Sequence, residues 1–385
     1  MNKICIRKEG KATLVGILIP IGSYYEEPHI KGISHFIEHC CFKGTKNRTQ
    51  KEINLAIEQY GGDINAFTDN EITFYWAKIA NQYKDIAIDV ITDIVTNPIF
   101  PSKEIDKERE VILQELKMYE DNPSHYIYQL ANEHYYPKDN GFYLPIIGTE
   151  KTLQNINKKE ILNYYKKYYN NPTLIIIGDV KDELYMEEEL SLDYPDYRIP
   201  TKFKRRIFEN RKDISQSIML IKADVNVSEF SGLEKEYLMD LLSEVYNDMS
   251  GRLFSKIREE YNLVYRIHFG ITMNSNGIIN WEVNLGLNKN KINKAYDLII
   301  KELNRPITKK ELEIAVTKTI GSQALRIESL NCIAETIAYG IRANLDWNEY
   351  LFNYEKNINK YKNNLNYFLK KMNFKENIMA GIIPK

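Results

Sequence analysis

The residues best suited to chemistry are His35-Phe36-Ile37-Glu38-His39. In a helix of ~3.6 residues per turn, His35 and His39 lie one above the other on a single face. Two imidazoles so placed can grip one divalent ion. Glu38, three residues after His35, lies on the edge of the same face, where its carboxylate can hold a water without binding the ion. A Lewis acid, a water and a base to take its proton are the equipment of hydrolysis. The bland alternative is a pair of hydrogen-bonded histidines on a partly buried helix, drawn from the 6 His and 53 Asp+Glu of the chain.

A catalytic zinc takes three protein ligands and leaves one position open. Residues 102–120 have helical periodicity, introduced by Pro101-Ser102, and offer Glu104, Asp106, Glu108, Glu110, Glu115 and Glu120. Glu108 and Glu115, seven apart, share a face with Val111 and Ile112, where an inward carboxylate would sit. Glu104, Glu110 and Glu120 read as a solvated face. Spacing alone does not choose among these acids. Cys40 and Cys41 follow His39 but are rotated from it by about 100° and 200° on a helix. They read as small buried residues rather than ligands. The four cysteines (Cys5, Cys40, Cys41 and Cys332) form no disulfide framework in 385 residues and suit a reducing compartment.

The elements that must carry these residues follow from the hydropathy pattern. The first half predicts strands at 14–20, 73–79 and 173–178. It predicts helices at 31–42, 50–60 (stopped by Gly61-Gly62), 87–95, 102–120 and 158–169. The second half repeats the order, with strands at 216–223, 264–271 and 277–287 and helices at 233–245, 252–260, 291–303 and 309–326. Between them, acidic Glu187-Glu188-Glu189, Tyr194-Pro195 and the basic run 202–206 mark a connection. The expectation is an α+β fold of two tandem homologous α/β domains, each a mostly antiparallel sheet packed against helices. Residues 1–195 carry the metal motif, 196–211 link, and 212–385 complete the substrate cavity without binding metal.

Composition narrows the function. At 385 residues the chain exceeds what one hydrophobic core normally supports. A formal net charge of -1 supplies no field for nucleic acid or an anionic membrane surface. Lys3, Arg7 and Lys8 followed by the apolar run 12–20 superficially imitate a signal peptide. That run is short, lacks a small-x-small site and reads as a buried strand. No stretch approaches the ~20 apolar residues of a membrane span. The expected location is the cytoplasm.

Three longer stretches resemble one family. They are Gly32-Ile33-Ser34-His35-Phe36-Ile37-Glu38-His39 with Phe42-Lys43-Gly44-Thr45, Gly61-Gly62-Asp63-Ile64-Asn65-Ala66-Phe67-Thr68, and Glu108-Arg109-Glu110-Val111-Ile112-Leu113-Gln114-Glu115. They are similar to the pitrilysin, insulin-degrading and mitochondrial-processing peptidases, whose His-x-x-Glu-His inverts the commoner His-Glu-x-x-His. The resemblance covers most of the chain and suggests a short, two-domain bacterial-type member. It implies one Zn²⁺ per chain, held by His35, His39 and Glu115, which stands 76 residues after His39 as the family spaces its third ligand. It implies Glu38 as the base and Glu108 as a helper beside the ligands. Asn65, Ala66 and Thr68 would lie on an edge strand that takes an extended peptide through backbone hydrogen bonds. Ser250-Gly251-Arg252-Leu253-Phe254, Arg258-Glu259 and Leu263-Val264-Tyr265 resemble the C-terminal signature, in which Arg258 and Tyr265 would reach the substrate and its oxyanion.

The implied activity is zinc-dependent endopeptidase cleavage of peptides, by a homodimer or by a heterodimer with a related subunit. The alternative is a non-catalytic or partner-dependent peptide-binding subunit of a heterodimeric peptidase or peptide-maturation complex. Three departures stand out. The family's N-terminal strand is expected to be short or missing. Tyr246-Asn247-Asp248-Met249 replaces a glycine run, and Cys40-Cys41 replaces bulkier apolar residues beside the metal.

Overall fold

Alternating and continuous apolar runs resolve into two five-stranded sheets of identical topology. The computed structural model describes residues 1–184 and 197–385, so Glu187-Glu188-Glu189 and Tyr194-Pro195 lie outside the described residues. The first sheet contains β1 (Asn2–Arg7), β2 (Ala12–Ile19), β3 (Asp63–Thr68), β4 (Thr73–Ala80) and β5 (Thr173–Gly178), in the order β1-β5-β2-β4-β3. The second contains β6 (Arg206–Arg211), β7 (Ser217–Asn226), β8 (Val264–Met273), β9 (Ile278–Leu287) and β10 (Ile378–Pro384), in the order β6-β10-β7-β9-β8. In each, the first strand lies at an edge, parallel to the last, and every other pair is antiparallel. The same connectivity twice in one chain is what two tandem copies of an α+β unit require.

The strand expected to be short or missing is present. β1 pairs with β5 along its whole length, from Asn2 opposite Thr173 to Arg7 opposite Gly178. Its apolar signal is only Ile4-Cys5-Ile6, between Lys3 and Arg7, and its partner is distant in sequence, so no local pattern announces it. β6 also forms inside the stretch read as linker. It sits at a sheet edge, and Arg206, Glu209 and Arg211 interrupt its apolar residues, as edge strands require.

The helices of the first half are α1 (Ile33–Cys41), α2 (Gln50–Glu58), α3 (Lys84–Thr96), α4 (Ser102–Asp121), α5 (Pro123–Tyr135), α6 (Glu150–Asn155) and α7 (Lys158–Tyr168). In the second half are α8 (Gly232–Tyr246), α9 (Ile292–Asn304), α10 (Lys309–Arg326) and α11 (Leu330–Arg342), followed by shorter helices. One core joins Val15, Ile17 and Ile19 of β2 to Ile33, Phe36 and Ile37 of α1, Val90, Ile91 and Ile94 of α3, and Ile105, Ile112 and Leu116 of α4. Alternation along β2 sends Leu14 and Leu18, both fully buried, to the opposite face.

The chain divides into two compact units, and each takes a helix from the other half of the sequence. The first comprises Met1–Met118, the described residues of Asp139–Pro195, and Ile327–Asn344, which is α11. The second comprises Tyr119–Lys138, which contains α5, together with the described residues of Asp196–Arg326 and Leu345–Lys385. Within the first unit α11 packs on β2 and β5, burying Ile333, Ala334, Ile337, Ala338 and Ile341. Within the second, α5 packs on β7 and β10, burying Ile127, Leu130 and Ala131.

Burying an isoleucine contributes ~1.5–3 kcal/mol, so the three of α11 together rival the ~5–15 kcal/mol that holds a typical domain folded. Residues 1–195 expressed alone are therefore expected to lack a cooperative unfolding transition and to bind a hydrophobic dye. Co-expression with residues 197–385 should restore the transition. A sharp two-state melt from 1–195 alone would show that α11 is dispensable.

Candidate metal centre

The metal motif lies on α1, and the helix starts at a position no ordinary cap serves. Gly32 is its N-cap, with φ +99 and no side chain to accept from the first turn. A Cβ there would fall 2.5 Å from the Ile147 carbonyl oxygen, so the close approach and the left-handed backbone both select glycine. The missing acceptor comes from Glu26, which takes Gly32 N–H at one oxygen and Ser34 N–H at the other, each at 2.7 Å. A carboxylate at this end also complements the helix dipole. Glu26 is buried, and burial raises its carboxyl pKa. The counter-charge is Lys31, whose Nζ lies 3.9 Å from Glu26 Oε2 and also donates to the carbonyls of Ser23 and, at 2.6 Å, Gly141. Burial lowers the Lys31 pKa, and the pairing with Glu26 opposes that shift. Ser34 Oγ shares a 2.8 Å hydrogen bond with Tyr164 OH, tying the same turn to α7.

From this helix His35 and His39 point toward Glu115 on α4. Glu115 Oε2 lies 3.8 Å from His35 Nε2 and 3.7 Å from His39 Nε2. One donor atom from each of the three residues lies within 4.8 Å of the others, and no other such trio occurs among the described residues. Two ligand atoms each ~2.0–2.2 Å from a tetrahedral zinc stand roughly 3.4 Å apart. Two imidazole nitrogens and a carboxylate oxygen at these separations therefore fit zinc in both chemistry and spacing. Burial, with His39 adding to it, pushes His35 down to about 3, so its ring is neutral at physiological pH, as a ligand must be.

α4 is docked by its buried Ile105, Ile112 and Leu116 and by Arg109. The Arg109 guanidinium lies 5.6 Å from the centre of the Phe36 ring on α1 and donates to the carbonyls of Leu153 and Ile156. Glu108, one turn before Ile112, is buried beside the histidines. Its Oε2 meets His39 Nδ1 at 3.2 Å, and its Oε1 pairs with Lys43 Nζ at 2.8 Å. An acceptor at Nδ1 keeps the proton there and leaves Nε2 free to bind metal. Among the described residues His35 has no such partner: its Nδ1 is buried without a hydrogen bond.

Glu38 lies outside the trio, and its carboxylate contacts β3. It is 9% exposed, and its Oε2 accepts from Thr68 Oγ1 at 2.6 Å. Burial raises its pKa, while the Thr68 hydrogen bond and His39 pull it back. Cys40 and Cys41 are buried free thiols, outside the trio. Burial lifts Cys41 to about 12, and the Tyr75 hydroxyl donates to its sulfur.

The remaining expected residues sit as follows. Among the described residues β3 pairs with β4 alone and so presents an open edge. Asn65 and Ala66 lie on that edge, with Asn65 Oδ1 accepting from Ala66 N–H. Thr68 is on the same strand, but its hydroxyl faces Glu38. Arg258 and Tyr265 belong to the second unit. Arg258 lies in a π-type turn, Phe254–Glu260, with its guanidinium 4.6 Å from the Phe254 ring centre. Tyr265 occupies a bulge between Val264 and Arg266, where β8 slips against β9. Its ring lies over Gly286, where a Cβ would come within 2.2 Å of it. Bulges of this kind re-aim a side chain.

Sequence reasoning missed Glu26, Lys31, Lys43 and the docking role of Arg109. The signal for Glu26 was available: a helix beginning after glycine, with no Ser, Thr, Asp or Asn at its start, needs an acceptor from elsewhere. Lys43 stands four residues after His39, in the turn that follows α1.

Comparison with known proteins identifies relatives of the chain. Residues 4–146 match the family model "Insulinase (Peptidase family M16)", and residues 155–319 match "Peptidase M16 inactive domain". A Rickettsia felis protein named as an uncharacterized zinc protease is 31% identical over 335 residues, covering 84% of this chain and 79% of that protein. The bovine mitochondrial-processing peptidase subunit beta is 33% identical over 186 residues, 47% of this chain and 38% of that one. The crystal structure of a Helicobacter pylori protease superposes with a TM-score of 0.85 at 18% identity, over 99% of this chain and 97% of that one, a likeness of fold.

Two measurements test the centre. Lys31→Met leaves the Glu26 carboxylate buried without its counter-charge and should cost about 3–5 kcal/mol in denaturant unfolding; a loss below about 1 kcal/mol would mean that the helix start does not need the pair. In zinc titrations, Glu115→Ala should abolish tight binding and Glu108→Gln should weaken it about 10–100-fold, whereas Glu110→Ala, on the exposed side of α4, should bind as the unaltered chain does. Equal affinity in the Glu115 and Glu110 variants would place the third ligand elsewhere.

Proposed function

Because the chain belongs to the insulinase family of peptidases, family M16, we propose that it is a zinc metalloendopeptidase that cleaves peptides or small unfolded polypeptides. The observation that carries this reading is the convergence of His35, His39 and Glu115 beside a buried, singly hydrogen-bonded Glu38. His35 Nε2, His39 Nε2 and a Glu115 carboxylate oxygen would hold the metal. Bound there, zinc would polarise the scissile carbonyl and lower the pKa of the attacking water toward ~7. Glu38 Oε1, which accepts no hydrogen bond from a described residue, takes the proton of that water and returns it to the leaving amine. Glu108, anchored by Lys43, keeps His39 in the tautomer that binds. The open edge of β3 at Asn65 and Ala66 takes the peptide in extended form, so backbone shape governs selection more than side chains do. Arg258 and Tyr265 supply donors to the substrate carbonyls.

Residues 197–319 of the second unit lie in the region matching the model described as inactive, and among the described residues the unit contributes no metal trio. Its assigned role is to enclose substrate. One relative is by name a subunit of a processing peptidase, which favours pairing with a second copy or a related chain. No described helix is long and apolar enough to cross a membrane. The four free cysteines favour a reducing compartment, and we assign the cytoplasm.

The zinc-loaded protein should cleave members of a mixed peptide library, and a chelator should stop it. Glu38→Gln should retain zinc by metal analysis yet lose activity by ~10²–10⁴-fold, the usual contribution of a positioned base. Zinc-loaded Glu38→Gln cutting at the unaltered rate would remove Glu38 from its role and, with it, this mechanism.

A further inference from the structure

Thr68 belongs to the strand expected to receive substrate, yet its hydroxyl is committed to Glu38, 2.6 Å away. We infer that Thr68 is the positioning residue of the general base: its Oγ1–H clamps Glu38 Oε2 and leaves Oε1 as the oxygen that accepts the proton. The inference rests on the peptidase reading and adds to it a residue that acts through Glu38 rather than on the peptide.

Three features of the structure support the clamp. First, Thr68 supplies the hydrogen bond made to the Glu38 carboxylate by a described residue, so the carboxylate's rotation is set by that contact. Second, Thr68 is itself held. It ends β3, paired with Thr73 of β4, and the next residue, Asp69, accepts from Glu71 N–H and Ile72 N–H at 2.7 and 2.8 Å to close the turn. Third, one loop fixes the clamp relative to the metal helix. Ser23 N–H donates to the Asp69 carbonyl at 2.9 Å and Tyr24 N–H to the Asn70 carbonyl at 2.7 Å, and two residues later Glu26 caps α1. The strand end carrying Thr68 and the helix carrying Glu38 are therefore referenced to the same short segment. A hydroxyl so placed does more than fill space. Its donor direction decides which carboxylate oxygen is free, and a misplacement of ~1 Å in a catalytic group costs about 100-fold in rate.

The test compares Thr68→Val, which keeps the shape and removes the donor, with Thr68→Ser, which keeps the donor. On a cleaved library peptide, Thr68→Val should lower kcat by about 100-fold with KM and zinc content near those of the unaltered protein, and Thr68→Ser should recover most of the loss. A second readout needs no activity. In metal-free protein, Thr68→Val should lower Tm in the normal background and leave the Tm of Glu38→Ala unchanged, because the partner is already gone. Unaltered kcat in Thr68→Val overturns the inference. So does a Thr68→Ser variant as slow as Thr68→Val, or strictly additive Tm shifts in the metal-free cycle. If the zinc-loaded parent cleaves no peptide, the peptidase reading fails by itself, and the metal-free cycle still decides whether Thr68 holds Glu38.

Discussion

The centre depends on one buried carboxylate. Glu26 stands where α1 has neither a capping side chain nor a free turn to spare, and it satisfies two orphan N–H groups with one group. A buried carboxylate is costly unless paired and fully hydrogen-bonded, and Lys31 with the Ser23 and Gly141 carbonyls supplies the balance. The arrangement fixes both the start and the rotation of the helix. Its rotation in turn decides that His35 and His39 face α4 while Glu38 faces β3.

The two histidines are not equivalent. Glu108 and Lys43 form a chain of charge behind His39, whereas His35 is held neutral by burial, with the neighbouring His39 adding to it. One candidate ligand is therefore oriented by a hydrogen bond and the other by packing, its ring set edge-on to that of His39 with centres 4.6 Å apart. Packing restrains a ring's position well and its tautomer poorly, so the electronic tuning of the centre runs through His39.

Much of this was legible in the residues. The helix carrying His35 and His39, the 102–120 helix and the repeated order of elements in the two halves follow from period and composition. Choosing Glu115 over Glu108 required the family's spacing, because both acids share a face. The N-terminal strand β1 escaped because a parallel partner far along the chain leaves no local trace. Glu26 and Lys31 escaped because a helix that starts after glycine calls for an acceptor without saying which residue supplies it, or which cation is buried beside it. Thr68 was read as a peptide contact because it sits on the right strand; which way its hydroxyl points depends on where α1 comes to rest.

The interchange of α5 and α11 has a consequence for how the molecule is made. The His-x-x-Glu-His segment leaves the ribosome early, but the outer face of its sheet stays bare until Ile341 is made. At ~5–20 residues per second, the interval between completing β5 and completing α11 is on the order of ten to thirty seconds. During that time the nascent chain exposes an apolar surface, and its first unit is unfinished. Completion of the first unit is thus withheld until synthesis is nearly over, a delay written into the order of the helices.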